Sequence, residues 1–317
     1  MKISVAIAAY RGEKFIGEQL ASIAAQTRVP DEVVICDDSP DHLTEKAVSA
    51  FRELLNIRYY RNTPALGVAG NFNKALALAD GDLVFLCDQD DLWYPEKVAV
   101  MSKAVGDEEL AAVFCDSDIT DADCRPLNIT HLESRGYGFL KNLPPGVWEG
   151  QFLHCCRRVP AAGHDMALTG KLLEKLLPIP EISACHDNFL GVAAAALDCW
   201  HIVPRPLGIF RRHDASASGA GKGVSLLSQL HEAVKSVQDD TFTWNVRLFR
   251  AVLETLPDLT PERKKLLAER IEFSEKRAEM NLPFFRRLPL IYAQWRCGNY
   301  SRFGRGWKNV IQDLFLR

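Results

Sequence analysis

The chain has 317 residues, a formal net charge of −3 and 47% hydrophobic residues, enough for a sizeable core and more than one ordinary domain requires. No apolar segment reaches the roughly 18 residues of a membrane span, and the run near the N-terminus is too short for a secretion signal, so a chain that is neither secreted nor membrane-spanning is expected. Nine cysteines, an odd number without a Cys-x-x-Cys pair, fit reduced thiols in a cytoplasmic protein better than a disulfide framework or a zinc site.

Ile3 to Ala8 reads as a strand by composition and length. Glu13 to Gln26 reads as a helix, with Ile16, Leu20, Ile23 and Ala24 at i, i+4, i+7 and i+8 and Gly12 at the turn before it. Val33 to Cys36 is a second apolar strand ending in Asp37-Asp38-Ser39-Pro40, and Leu43, Ala47, Val48, Phe51 and Leu55 outline the next amphipathic helix. Ile57 to Tyr60 forms a third β-element, which leads through Asn62 and Gly67 to a helix near Gly70 to Ala79. Leu83 to Cys87 is apolar throughout and predicts a strand buried on both faces. It runs into Asp88-Gln89-Asp90-Asp91-Leu92-Trp93-Tyr94-Pro95, and Pro95 opens a further helix. Strand and helix in alternation predict an α/β fold with a mostly parallel sheet built from right-handed crossovers.

Ionised carboxylates cannot stay inside the core with that buried strand, so the acids belong at its C-terminal edge, where open α/β sheets bind ligands. Asp88 and Asp90 flank one residue, and a turn lets both face a divalent cation shared with phosphate oxygens; a surface turn of solvated acids is the plainer alternative. No Gly-x-Gly-x-x-Gly follows the first strand, which argues against a dinucleotide-dependent dehydrogenase. Gly219-Ala220-Gly221-Lys222-Gly223 lacks the Ser or Thr of a phosphate loop after its lysine, and reads as a flexible loop.

Ala8-Ala9-Tyr10, Gln26-Thr27, Asp37-Asp38-Ser39 and Asp88 to Pro95, in this order and at strand or helix ends, together resemble glycosyltransferase family 2, whose members are inverting, sugar-nucleotide-dependent enzymes with the GT-A fold. Gly163-His164-Asp165, His186-Asp187 and Phe210-Arg211-Arg212-His213 resemble the second half of bacterial rhamnosyltransferase-like members. Ala8 stands where relatives often carry Thr or Ser, Arg11 where they carry Asn, and Ser216 where Asn often follows. The resemblance implies a catalytic domain over residues 1–219, with a nucleotide-binding half over 1–100 and an acceptor half over 101–219. It implies transfer of a sugar, with rhamnose indicated by the second half, from a dTDP or UDP donor to a cell-surface glycan or lipid-linked acceptor. A sugar-nucleotide pyrophosphorylase would show a glycine-rich first loop that Ala8 to Gly12 does not supply. A non-catalytic binding or scaffold protein would need neither Asp90 nor Asp187.

Each chemical task then has a candidate. Asp38 is placed to accept the imide N–H of uracil or thymine, or else to cap the next helix. Ala8, Tyr10 and Asp88 join the nucleotide site, the last facing the ribose or indirectly the metal, and Gly67, Asn71, Asn73 and Lys74 start a helix whose N-terminus is aimed at the nucleotide, with a plain loop and cap as the alternative reading. Asp90 and His213 are the ligands of Mn²⁺ or Mg²⁺, which bridges the two phosphates, and Arg211 and Arg212 face phosphate oxygens. Asp187 is the general base, with Asp165 as its rival and a helix cap as the alternative reading. Asp91 braces the loop, and Trp93 packs beneath it.

Beyond Gly223 the periodicity stays helical, giving a C-terminal helical region over 220–317. From Lys276 onward nine Lys or Arg stand against Glu279 and Asp313, interleaved with Phe284, Phe285, Tyr292, Trp295, Tyr300, Phe303 and Trp307. That mixture favours an anionic membrane surface over a nucleic-acid partner and a peripheral position on the inner face of the membrane, with plain packing against the catalytic sheet as the alternative reading.

Overall fold

A computed structural model of the chain describes residues 1–181, 186–213 and 241–315. Within these the chain forms two compact units. The first takes Met1–Glu149, Pro160–Ala194 and 198–213, and the second Gly150–Val159, Ala195–Leu197 and 241–315.

The first unit begins with the expected alternation: β1 (Ile3–Ala9), α1 (Ile16–Ala24), β2 (Glu32–Asp37), α2 (Leu43–Ser49), β3 (Ile57–Arg61), α3 (Gly67–Leu78) and β4 (Leu83–Asp88). β1, β2 and β4 are buried almost end to end, because their side chains are apolar on both faces. Helix α1 turns Ile16, Gln19, Leu20 and Ile23 inward at the i, i+3, i+4, i+7 spacing. Val5, Ile7, Val33, Ile35 and Phe85 of the sheet share one core with Leu20, Ile23, Val48, Val98 and Met101. Each such side chain contributes about 1.5–3 kcal/mol on burial.

There follow β5 (Leu92–Trp93), α4 (Lys97–Val105), β6 (Ala112–Thr120), β7 (Pro126–Thr130), α5 (His131–Ser134), β8 (Gly146–Val147), α6 (Gln151–Arg157), β9 (Met166–Thr169), α7 (Gly170–Leu176), α8 (His186–Ala196) and β10 (Trp200–Arg211). All strands join one sheet of order β3-β2-β1-β4-β9-β6-β10-β5, with β7 beside β6 and β8 beside β10. The run β3-β2-β1-β4 is parallel, and β10 is parallel to β6. Past β4 the sheet is mixed, because the four-residue β9 enters antiparallel between β4 and β6. This reversal brings the start of β9 and the tight turn Gly163–Asp165 before it to the edge where β4 ends.

The second unit is helical: α6 with α9 (Thr241–Thr255), α10 (Pro261–Ala278), α11 (Phe284–Arg296), α12 (Asn299–Phe303) and α13 (Trp307–Phe315). Helix α10 starts where Thr260 accepts the Arg263 N–H and Pro261 occupies the first turn. Arg277 and Asp313 form a buried two-bond ion pair at 2.7 and 2.8 Å, joined by the Tyr300 hydroxyl at 2.8 Å, which ties α10, α12 and α13 together. Among the described residues no helix is long and apolar enough to cross a membrane. Ser216, the Gly219–Gly223 stretch and the helix expected through Leu227, Leu230, Val234 and Val237 lie outside the described residues.

Candidate active site

Three strand ends meet at one edge of the sheet. Ala8 of β1 pairs with Cys36 of β2 and Asp88 of β4, and Ala9 pairs with Asp37. Tyr10, Asp38 and the loop from Asp88 to Asp91 therefore leave the sheet side by side. The β2 and β4 exits stand two strand spacings, roughly 10 Å, apart.

At the β2 exit Asp38 is buried and held by amides. Its Oδ1 accepts from Asn62 Nδ2 at 2.7 Å and from the Leu66 N–H at 3.0 Å. Its own N–H donates to the Ala9 carbonyl, which also accepts from Asn71. Asn62 also donates to Asn71 Oδ1 at 2.9 Å and accepts from Lys74 Nζ at 2.7 Å. Asp38 Oδ2 makes no hydrogen bond among the described residues. The neighbouring Asp37 is consumed structurally, by Ser39 and the Tyr59 hydroxyl. Asp38 does not cap α2, whose N-cap residue His42 has no side-chain cap bond; its bond to Leu66 reaches instead the residue that starts α3.

One side chain links the β1 exit to the acidic loop. Gln89 Oε1 accepts the Tyr10 N–H at 3.0 Å, and Gln89 Nε2 donates to the Tyr10 carbonyl at 2.9 Å. A Cβ on Gly12 would lie 2.2 Å from Gln89 Oε1, so a side chain there would push the Gln89 amide off Tyr10.

The acidic loop is crowded with charge. Asp90 Oδ2 lies 2.9 Å from His213 Nε2, and the His213 ring stacks on Phe15 with centroids 4.6 Å apart. His164 Nδ1 lies 3.3 Å from Asp91 and 3.5 Å from Asp88, while its Nε2 lies 3.2 Å from Asp165. Burial pushes the Asp91 carboxyl up to about 8, with the charges of Asp90 and Asp88 adding to the rise and His164 opposing it. Burial and the charge of Asp88 raise Asp90 above the usual carboxylate range. For Asp88, burial is outweighed by the imidazole of His164 and the field of His186, so its carboxyl sits below that range. His164 itself is buried, which alone would favour its neutral form, but Asp165, Asp91 and Asp88 hold it protonated well above an ordinary histidine.

Beneath His164 lies a buried platform. Asp165 accepts from Ser117 Oγ at 2.5 Å and faces His131 at 3.3 Å, and Lys97 Nζ donates to the His164 carbonyl at 2.7 Å while lying 3.8 Å from Asp165. Lys97 and Asp165 are 1% and 0% exposed. Asp165 is therefore closed off from any acceptor, and the rival general base is corrected to a platform residue. Trp93 packs as expected, against Phe85 and under Lys97.

The end of β10 and the start of α8 complete the edge. The Arg211 N–H donates to Asp91 Oδ1 at 3.1 Å, but its buried guanidinium pairs with Glu18 and covers the Phe15 ring. The structure thus spends the charge of Arg211 on Glu18, while Arg212 is half-buried beside it. His186 stacks on Phe72 with centroids 3.9 Å apart, and Gly163 leaves room for its ring, 2.5 Å from where a Cβ would stand. Asp187 follows in the first turn of α8, its Oδ1 accepting the Asn188 N–H at 2.8 Å. Ala8 is half-buried at the strand end and Tyr10 is exposed. Asn73 forms two hydrogen bonds with the backbone of Ile179 at 2.6 and 2.7 Å, on a different partner from the Asn62–Asp38 corner. Sequence reasoning gave no role to Asn62, Lys97 and His131, none of which carries a local signal.

Residues 4–157 match the model of glycosyl transferase family 2. That stretch, just under half of the chain, is similar to a family 2 glycosyltransferase domain. An uncharacterized glycosyltransferase of Nostoc sp. is 26% identical over 68% of this chain and 66% of its own length. The Escherichia coli UDP-Glc:alpha-D-GlcNAc-diphosphoundecaprenol beta-1,3-glucosyltransferase WfgD is 31% identical over 30% of this chain and 38% of its own length. The chain thus spans between about two fifths and just under two thirds of these relatives. Staphylococcus aureus TarS, residues 1–349 in complex with UDP, superposes with a TM-score of 0.59 at 16% identity, covering 92% of this chain and 75% of that one. The fold is therefore GT-A, a central sheet flanked by helices and followed by C-terminal helices.

The donor chemistry of the family 2 domain fits a divalent cation. Asp88, Asp91 and His164 each offer an oxygen or nitrogen within 4.8 Å of the others, the imidazole only on giving up the proton that the surrounding acids hold on it. Asp91 Oδ2 is buried without a hydrogen bond, and Asp90 and His213 face each other alongside. Carboxylate with imidazole suits Mn²⁺ and similar ions, while an all-oxygen set would favour Mg²⁺.

Proposed function

We propose that this chain is an inverting glycosyltransferase that moves a sugar from a uridine or thymidine diphosphate donor to a hydroxyl of a cell-surface or lipid-linked glycan. The observation that carries the reading is the meeting, on one sheet edge, of a carboxylate held by neutral amides at Asp38 and the cluster of Asp88, Asp90, Asp91 and His213. Asp38 is fixed through Oδ1, which leaves Oδ2 for the imide N–H of uracil or thymine. Asp88 faces the ribose. Asp90 and His213 would hold Mn²⁺ or Mg²⁺, which when bound supplies positive charge to the departing diphosphate. Arg212, with Arg211 set back on Glu18, lies on the phosphate side, and Lys74 holds Asn62 behind the base.

Asp187 takes the acceptor's proton. Inversion requires attack from the side opposite the leaving diphosphate, so the base belongs to a different element from the metal loop, and α8 is such an element. The UDP bound to TarS and the donor and acceptor in the name of WfgD support a uridine-type donor and a lipid-linked acceptor; rhamnose rests on the likeness of the second half alone. The catalytic domain is assigned to residues 1–219 and the helical region to 220–317.

The test is a thermal-shift and donor-hydrolysis screen of UDP-glucose, UDP-N-acetylglucosamine, dTDP-rhamnose and GDP-mannose, each with Mn²⁺ and with EDTA. One uridine or thymidine donor should raise the melting temperature and release its diphosphate only with Mn²⁺. Indifference to all four donors in both conditions would end the proposal.

A further inference from the structure

The second unit presents a surface that the transfer reaction does not use. On α11, Phe285, Leu288, Tyr292 and Trp295 recur at i, i+3, i+7 and i+10, so they line one stripe of the helix. They are 81, 37, 58 and 62% exposed. On α13, Trp307, Ile311 and Phe315 recur at i, i+4 and i+8, again exposed. The two helices are joined: the buried Arg287 donates to the Asp313 carbonyl at 3.2 Å, and the Phe284 and Phe315 rings lie 6.4 Å apart. Their apolar stripes are therefore neighbouring parts of one surface. Seven large apolar side chains left in water on two adjoining short helices make a patch that needs a partner.

Its charge says which kind. Arg286, Arg296, Arg305 and Lys308 are exposed along the same two helices and the turn between them, and none has an ion pair among the described residues. The acids nearby are already engaged, Asp313 buried with Arg277 and Glu279 paired with Lys276. An apolar face edged by unpaired cations, with Trp and Tyr at its margin, matches a layer with an apolar interior and an anionic surface. A second copy of the chain would bring the same cations against themselves. The 13-residue α11 also spans fewer than two heptads, with aromatic side chains and Pro289 in place of a Leu and Ile seam.

We propose that α11 and α13 dock the protein on anionic lipid, lying in the interface with Phe285, Trp295 and Trp307 inserted and Arg286, Arg296, Arg305 and Lys308 against the headgroups. Arg287 takes no part in headgroup contact, being buried against α13. Arg302 is a lesser contributor because it is already paired with Glu269. This inference does not depend on the transfer reaction, since its readout is binding.

The experiment uses the full chain with vesicles of phosphatidylcholine alone or with about a third phosphatidylglycerol. Wild type should float with the anionic vesicles at low salt, be released at high salt and ignore the neutral ones. Each basic residue near such a surface is worth about fivefold in binding. Changing Arg286, Arg296, Arg305 and Lys308 together to Ser should therefore weaken it by two to three orders of magnitude, and Phe285→Ser with Trp295→Ser and Trp307→Ser should also abolish flotation. Wild-type tryptophan fluorescence gives a reading independent of any variant: lipids brominated near the headgroup should quench Trp295 and Trp307 in anionic vesicles only. Flotation with neutral and anionic vesicles alike, absence of quenching, or a concentration-dependent dimer that loses the exposed tryptophan signal would each overturn the proposal.

Discussion

The β2 exit and the β4 exit of the sheet are built around the same residue type and solved in opposite ways. Asp38 is fixed by two neutral donors, the Asn62 amide, itself bonded to Asn71, and the Leu66 N–H. The Asp88–Asp91 loop instead crowds three carboxylates against two imidazoles, His164 and His213, and rests on a second buried charge layer of Asp165 and Lys97. Neutral hydrogen bonds fix direction and suit recognition of a planar edge. Crowded acids are costly alone and stabilised by added positive charge, which suits ion and phosphate chemistry. On the proposed reading, one sheet edge separates recognising the donor from activating it.

That contrast can be broken at graded cost. The largest effect is expected for Asp187→Asn, which belongs to neither corner: transfer should fall about 10²–10⁴-fold in kcat while donor KM is kept, because the amide preserves shape and cannot take a proton. Loss below tenfold, in a steady-state assay, would move the base elsewhere. Asp90→Ala should cost about 10²–10³-fold in transfer and remove the Mn²⁺ dependence of donor binding seen by calorimetry, with the melting temperature nearly unchanged. An intact Mn²⁺ dependence would take Asp90 out of the ion's shell. Asp38→Asn should act on the other corner alone, raising donor KM about 10–100-fold for uridine and thymidine donors with little change in kcat, the usual worth of a hydrogen bond to a charged group. If kcat fell and KM held, the two corners would not be separate.

A further effect lies in the platform and concerns stability only. Burial lowers the His131 imidazole to about 4, with Asp165 opposing. The folded chain then binds fewer protons than the unfolded chain between about 4 and 6.5. The stability tied to His131 is whole above about pH 6.5 and is lost as pH falls toward 4, by on the order of 3 kcal/mol. Urea unfolding in EDTA should show this acid loss in wild type and a flatter profile in His131→Gln, with the two alike at pH 7.5. Parallel profiles would mean that the folded imidazole carries a proton.

The exits themselves were legible because each joins two strong local signals, a run of apolar residues and the acids that terminate it. β1, β2 and β4 end within a residue or two of where composition puts them. The platform was legible only as the Gly163-His164-Asp165 motif, not as a buried layer. His131, His164 and Asp165 come from α5 and the turn before β9, and Lys97 from the first turn of α4, where a lysine reads as solvated; it is instead nearly fully buried. Only the antiparallel entry of β9 brings these groups under Asp91, and no periodicity within a strand encodes the direction of its neighbour. Asn73 and Asn71 make the same point at shorter range. Two residues apart on α3, they face Ile179 and Ala9 respectively, and the sequence offers no way to choose between them.

Gln89 has a consequence for redesign. Its amide carries a donor and an acceptor as a peptide group does, and it pairs with both backbone groups of Tyr10 as a neighbouring strand would. The segment after β1 and the acidic loop after β4 are in effect one cassette, closed by a side chain that a Cβ at Gly12 would displace. Transplanting a different nucleotide preference into this scaffold would mean moving residues 10–12 and 89 as a unit. A carboxylate in place of Gln89 would set an acceptor against the Tyr10 carbonyl and open the cassette from the inside.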